Sequence, residues 1–183
     1  MQVGYRRITL APVLVALGLI ALAIFGLHAA AAGPVLGRAM PALDGGPWLN
    51  GGPLSEKRLR GRVVLVEFWT YGCYNCRNVE PHIKAWDARY RAAGLVVVGV
   101  HSPELDYERI PAKVRAYVHA HGIAYPVVLD NDYAIWKRFD NHYWPTRYLV
   151  DRRGTVRYRH IGEGGYAQTE RRIRALLAEE PPR

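Results

Sequence analysis

The feature that most constrains the fold is the junction between an apolar run and a pair of cysteines. Residues 63–69 read Val-Val-Leu-Val-Glu-Phe-Trp, and shortly after come Cys73-Tyr74-Asn75-Cys76, which hold the only two cysteines of the chain. A β-branched, almost continuously apolar run of this kind is a strand covered on both faces of its sheet. The pattern after Cys76 is helical to about residue 93, and 95–100 is a second apolar run. Strand, helix and strand in that order make a parallel pair with a crossover helix, the unit of an α/β domain. The cysteines therefore stand where a buried strand ends and a helix begins.

That placement has a chemical consequence. Unpaired N–H groups and the helix dipole put positive potential at the first turn, which stabilises a thiolate, so Cys73 is the expected nucleophile. One turn further on, Cys76 is placed to attack a mixed disulfide formed at Cys73, which releases the partner and closes a disulfide across the pair. Two other readings of a Cys-x-x-Cys pair stand beside this one. A zinc site would need two more ligands, and the nearest histidine, His82, lies inside the following helix. A purely stabilising disulfide would close so small a loop that it would constrain the unfolded chain little. No metal site is expected.

Residues 55–59 read as a helical turn that Gly61 breaks. Farther along, 110–121 and 131–139 read as helices and 126–129 as a short strand. The segments 147–150 and 156–161, joined by Asp151-Arg152-Arg153-Gly154, form a hairpin, and 166–178 is an amphipathic helix with Ile173, Leu176 and Leu177 on one face. Residues 35–53 are punctuated by Met40-Pro41, Gly45-Gly46-Pro47 and Gly51-Gly52-Pro53, and read as a linker followed by a short leading hairpin. The organisation expected is a signal anchor or signal peptide over 1–34, this linker and hairpin, and one folded domain over 54–183.

The first of these segments sets location. Arg6 and Arg7 precede residues 8–32, which carry no formal charge. About 20 apolar residues suffice to cross a bilayer, and basic residues on the N-terminal flank keep that end cytoplasmic. The tail Ala29-Ala30-Ala31-Ala32-Gly33 would also suit a signal peptidase. Anchored or cleaved, the remainder is exported, to the periplasmic side of a bacterial inner membrane. The formal charge of +9 is spread among acidic residues rather than gathered in a basic block, so it reads as a solvated surface and not as a nucleic-acid footprint.

The segment Phe68-Trp69-Thr70-Tyr71-Gly72-Cys73-Tyr74-Asn75-Cys76, with Pro81 in the helix, resembles the active-site segment of thioredoxins. Trp144-Pro145-Thr146, just before the hairpin, sits where thioredoxins carry a cis-proline. The leader around Leu54-Ser55 and Leu59-Arg60-Gly61-Arg62-Val63 is similar to TlpA/ResA-type proteins and the AhpC/TSA-redoxin group. Gly99-Val100-His101-Ser102-Pro103-Glu104, Leu129-Asp130-Asn131, Tyr143-Trp144-Pro145 and Gly162-Glu163-Gly164 resemble the C-terminal domain of DipZ-type cytochrome c biogenesis proteins.

This resemblance implies a thioredoxin-like α/β fold with a central mixed sheet flanked by helices, and a protein disulfide oxidoreductase whose only redox group is the Cys73–Cys76 disulfide, without an organic cofactor. It implies that Pro145 and its neighbours align the backbone of a protein thiol or disulfide substrate, and that Tyr71, Tyr74, Asn75, Trp144 and Thr146 lie at that contact. Glu67 falls where thioredoxins carry a buried acid that relays a proton to the second cysteine; the alternative is a carboxylate that reaches solvent or an arginine. The electron-conducting domain of DipZ-type proteins has no counterpart in these residues, which implies a separate membrane donor of the CcdA/DsbD type. A monomer is expected. Two variants share the fold: a thiol-dependent peroxidase with an antioxidant role, and a copper chaperone in which His101 or His142 completes a site with the two thiolates. His119 and His121 read as a solvated helix cap, and 162–166 as a loop near the dithiol face rather than a phosphate loop. The direction of electron flow is not legible from sequence, because it depends on the reduction potential of the pair against its compartment.

Overall fold

The computed structural model describes residues 35–181. The expected apolar segment at 8–32 lies outside these residues. Among the described residues, no helix is long and apolar enough to cross a membrane.

The chain runs β1 (Trp48–Leu49), α1 (Glu56–Leu59), β2 (Val63–Trp69), α2 (Tyr74–Tyr90), β3 (Leu95–His101), a 3-10 turn (Asp106–Arg109), α3 (Pro111–Ala120), β4 (Val127–Leu129), α4 (Ala134–Arg138), β5 (Thr146–Val150), β6 (Val156–Ile161) and α5 (Tyr166–Ala178). The strands form one mixed sheet in the order β1-β4-β3-β2-β5-β6. Strands β2, β3 and β4 are parallel, while β1, β5 and β6 run antiparallel to their neighbours.

All seven residues of β2 are buried, which is why its sequence lacks the alternation of a half-exposed strand. Val63, Leu65 and Trp69 face the core under α2, α3 and α5, where Cys76, Val79, Ile83, Trp86, Val114, Val118, Ile173 and Leu176 pack. Val64, Val66 and Phe68 face the other core, with Ile135 of α4, Phe139, Tyr148 and Val150. Glu67 replaces an apolar residue on the α2 side of this strand.

The leading hairpin is not formed, and this corrects the expectation. Trp48 and Leu49 pair with Val128 and Val127 of β4, and Ala39 bridges Thr155 beside the β5–β6 turn. Each piece covers a different part of the fold. The backbone groups they satisfy belong to segments far away in sequence, and sheet edges left unpaired recruit such pieces.

Candidate active site

Strand β2 delivers the chain to the dithiol, and β5 lies against its other side. Phe68 pairs with Thr146, so Pro145 stands beside the end of β2 just before Cys73. The Trp144–Pro145 peptide is cis. Pro145 is buried, and its carbonyl accepts the Gly162 N–H at 2.8 Å, which ties the 162–165 loop to the back of this turn.

Cys73 is the N-cap of α2, and its sulfur accepts the Cys76 N–H at 3.2 Å. The two cysteines are joined in a disulfide with 5.3 Å between their Cα atoms. Cys76 is 3% exposed, whereas Cys73 is half-buried. An outside sulfur can therefore reach Cys73 and not Cys76, and the accessible sulfur sits at the helix N-terminus, where it accepts the Cys76 N–H.

The other expected residues divide. Tyr74 is 69% exposed and Asn75 is exposed beside it, both free to meet a partner. Tyr71 is half-buried, its hydroxyl donates to the Tyr107 carbonyl at 2.8 Å, and its ring stacks between His101 and Tyr117. Trp144 is half-buried against Trp136, and its indole N–H donates to the Ser102 carbonyl at 2.9 Å. Thr146 is fully buried and donates to the Tyr143 carbonyl at 2.7 Å, so its side chain shapes the proline turn from within.

Glu67 is 2% exposed under α2, and its Oε1 has no hydrogen-bond partner. Burial pushes its carboxyl up to about 8; the Arg147 guanidinium opposes this and Glu80 adds to it. An acid poised there is suited to trade a proton with a thiol near neutral pH.

His101, at the end of β3, is fully buried. Its Nε2 shares a hydrogen bond with Thr70 Oγ1 at 3.2 Å, and burial pushes it down to about 4, so it stays neutral. His142 is exposed and paired with Asp140 at 3.0 Å. Among the described residues, no three His, Cys, Asp or Glu side chains gather closely enough to hold a metal ion. His121 caps α3 from the exposed side and lies 3.1 Å from Glu80.

Two residues at the site carry no sequence signal that singles them out. Glu108 is fully buried, and its carboxylate accepts the Gly72 N–H at 2.8 Å with Oε1 and the N–H groups of Glu104 and Leu105 at 2.6 and 2.9 Å with Oε2. It clamps the loop immediately before Cys73. A Cβ on residue 72 would lie 2.1 Å from Oε1, so any side chain there would push the Glu108 carboxylate off the loop. Arg147 is fully buried opposite Glu67. Its role depends on strand register, which no local pattern reveals.

A dithiol that opens to one side, backed by a buried acid, can pass two electrons to or from another disulfide, and on this fold that chemistry makes the protein a thiol-disulfide oxidoreductase. The chain belongs to the AhpC/TSA family, whose sequence model matches residues 36–159. It is 32% identical over 145 residues to thiol-disulfide oxidoreductase YkuV of Bacillus subtilis, covering 79% of this chain and 97% of that protein. It is 46% identical over 138 residues to Protein DipZ of Mycobacterium tuberculosis, covering 74% of this chain and 20% of DipZ, so the chain spans about a fifth of that relative's length. The fold is thioredoxin-like: a thioredoxin-like protein solved in solution in its oxidized form superposes with a TM-score of 0.70 at 32% identity, covering 76% of this chain and 95% of the other.

Proposed function

We propose that the protein reduces disulfides of extracytoplasmic proteins, with the cysteines of maturing c-type cytochromes among its clients. The observation that carries this reading is the unequal exposure of the two sulfurs at the start of α2. Sequence likeness to DipZ supports the cytochrome assignment, and the basic-then-apolar pattern of residues 6–32 supports export and a hold on the membrane.

In the reduced protein, the Cys73 thiolate attacks one sulfur of a client disulfide. That bond breaks, and the second client sulfur leaves with the electron pair and takes a proton from solvent. In the molecules whose Glu67 is ionised, Cys76 then gives its proton to that carboxylate and attacks the Cys73 sulfur, so the mixed disulfide breaks and the remaining client sulfur leaves as a thiolate that takes a proton from solvent. The client gains two electrons and two protons; Glu67 returns its proton to solvent. No organic cofactor takes part, and a membrane dithiol donor of the CcdA/DsbD type regenerates the pair. Tyr74, Asn75 and the turn at Trp144–Pro145 present the surface on which the client lies, and the domain acts as a monomer.

Trapping tests the reading. Cys76→Ser expressed in the native host should accumulate mixed disulfides with exported proteins that reductant dissolves, and Cys73→Ser should accumulate none. Trapped partners confined to the cytoplasm, or trapping by Cys73→Ser instead, would overturn the assignment.

A further inference from the structure

Arg147 is the second residue of β5, and the three residues that end the strand, Tyr148, Leu149 and Val150, are apolar and buried. It is itself fully buried, and its register partner across β2 is Glu67, which shares its side of the sheet. Side chains directly opposed in an antiparallel pair have Cβ atoms about 5 Å apart. The guanidinium lies 6.0 Å from the Trp86 ring of α2 and 5.5 Å from the Tyr166 ring of α5. Nη2 donates to the Gly164 carbonyl at 2.6 Å and to Gly162 at 3.3 Å. Nε and Nη1 have no acceptor, and Oε1 of Glu67 has no donor.

A buried cation that spends one nitrogen on loop carbonyls and leaves two uncommitted beside an uncommitted carboxylate is expensive in stability, and an aliphatic residue would pack there at lower cost. Arginine also keeps its charge at every pH the protein meets. We propose that Arg147 is a positioning residue of the dithiol site: it is the permanent counter-charge that sets the pH at which Glu67 exchanges its proton with Cys76, while its other edge holds the 162–165 loop behind Pro145. This rests on the reading of Glu67 as the proton acceptor.

Other charges meet at the same place. Glu80, Asp87 and Cys76 come from α2, Tyr117 from α3, Tyr125 from the approach to β4, Tyr158 and His160 from β6, and Tyr166 from α5. On Glu67 itself, Arg147 pulls the proton off and, of these neighbours, Glu80 holds it on.

The test uses the reduced full chain mixed with an aromatic disulfide in a stopped-flow instrument. The first release of aromatic thiolate reports attack by Cys73, and the second reports resolution by Cys76. In the parent protein the second rate should rise with pH through the Glu67 midpoint. Arg147→Met should move that midpoint up by at least about one pH unit, slowing resolution roughly tenfold at neutral pH. Arg147→Lys should keep the midpoint, and in Glu67→Gln the step should vanish and Arg147→Met become silent. Carbon-13 titration of the Glu67 carboxyl in the oxidised chain gives the same midpoint without reference to the cysteines. If Glu67→Gln leaves the resolution profile unchanged while the carboxyl midpoint still rises in Arg147→Met, the relay reading fails and the counter-charge stands. If the carboxyl midpoint is the same in the parent and in Arg147→Met, the counter-charge is refuted. Should Arg147→Met fail to fold, Arg147→Gln removes the charge, keeps a donor for Gly164 and must show the same rise.

Discussion

Glu67 and His101 are two ionisable side chains buried on the same face of the sheet, and burial drives them in opposite directions. Glu67 rises from 4.5 to about 8, and His101 falls from 6.5 to about 4. Both are therefore neutral at neutral pH, which is how a dry site tolerates them. For Glu67 the folded state holds a proton that the unfolded chain has already lost, so stability falls as pH rises from about 4.5 to about 8. For His101 the unfolded chain holds the extra proton, so stability rises with pH from about 4 to about 6.5. The two trends oppose each other until the histidine is spent, and above that pH the Glu67 trend is unmasked. Urea unfolding of the oxidised protein should show a loss of about 2 kcal/mol between pH 6.5 and 8, from ~1.4 kcal/mol per pH unit. Glu67→Gln should lack that component. Equal slopes in parent and variant would show that Glu67 is not protonated in the folded state.

At the scale of elements, the dithiol depends on a segment that carries no sulfur. Residues 104–109 hold Tyr71 through the Tyr107 carbonyl and Gly72 through Glu108, so the last two residues before Cys73 are fixed from outside β2 and α2. Glu108→Ala would leave the N–H groups of Gly72, Glu104 and Leu105 without their acceptor. A hydrogen bond to a charged group contributes roughly 1.5–3 kcal/mol, and because Gly72, Glu104 and Leu105 are exposed, water replaces part of the three that are lost, so a stability loss of about 3–6 kcal/mol is expected by denaturant unfolding. Gly72→Ala makes a sharper local test, because its Cβ displaces the carboxylate. Hydrogen exchange at the residue 72 amide should accelerate while the amides of β2 keep their protection. Unchanged protection at residue 72 would mean that the clamp is not what orders this loop.

Across the whole domain, the sheet separates two cores, and the segment before β1 contributes to one of them. Val35 and Leu43 are 5% and 2% exposed, and Gly37 donates to the Val156 carbonyl at 2.8 Å. A chain beginning at Met40 keeps the dithiol and every helix of the described residues but loses Val35 and that bond. The expected cost is ~2–4 kcal/mol, or roughly 5–10 °C in melting temperature, relative to a chain beginning at Pro34. Thermal unfolding of the two would settle it, and identical midpoints would show that the wrap contributes nothing.

What could be read along the chain was whatever local pattern controls. The continuous apolar runs of β2 and β3, the helix after Cys76 and the hairpin around Asp151–Gly154 are periodicity and turn chemistry, and they stand where the pattern put them. Cys73 and Cys76, as the only two cysteines and three residues apart, were the one pair a disulfide could join. Misreading the segment before residue 53 as a self-paired hairpin has the converse cause: Trp48 and Ala39 choose partners more than 75 residues away, on β4 and near β6. Glu67 was conspicuous as a charge in an apolar strand, but whether it met solvent, an arginine or neither was open until β5 took its register and set Arg147 opposite. The same holds for Glu108, an ordinary acidic residue in sequence that becomes a clamp only when the 104–109 segment folds over Gly72. The sequence by itself determined the two sulfurs, their strand–helix junction and the apolar face that buries one of them, because those depend on neighbours along the chain. Only the tertiary structure decided what surrounds the proton, because burial and charge at Glu67 come from strands and helices that meet there from across the fold.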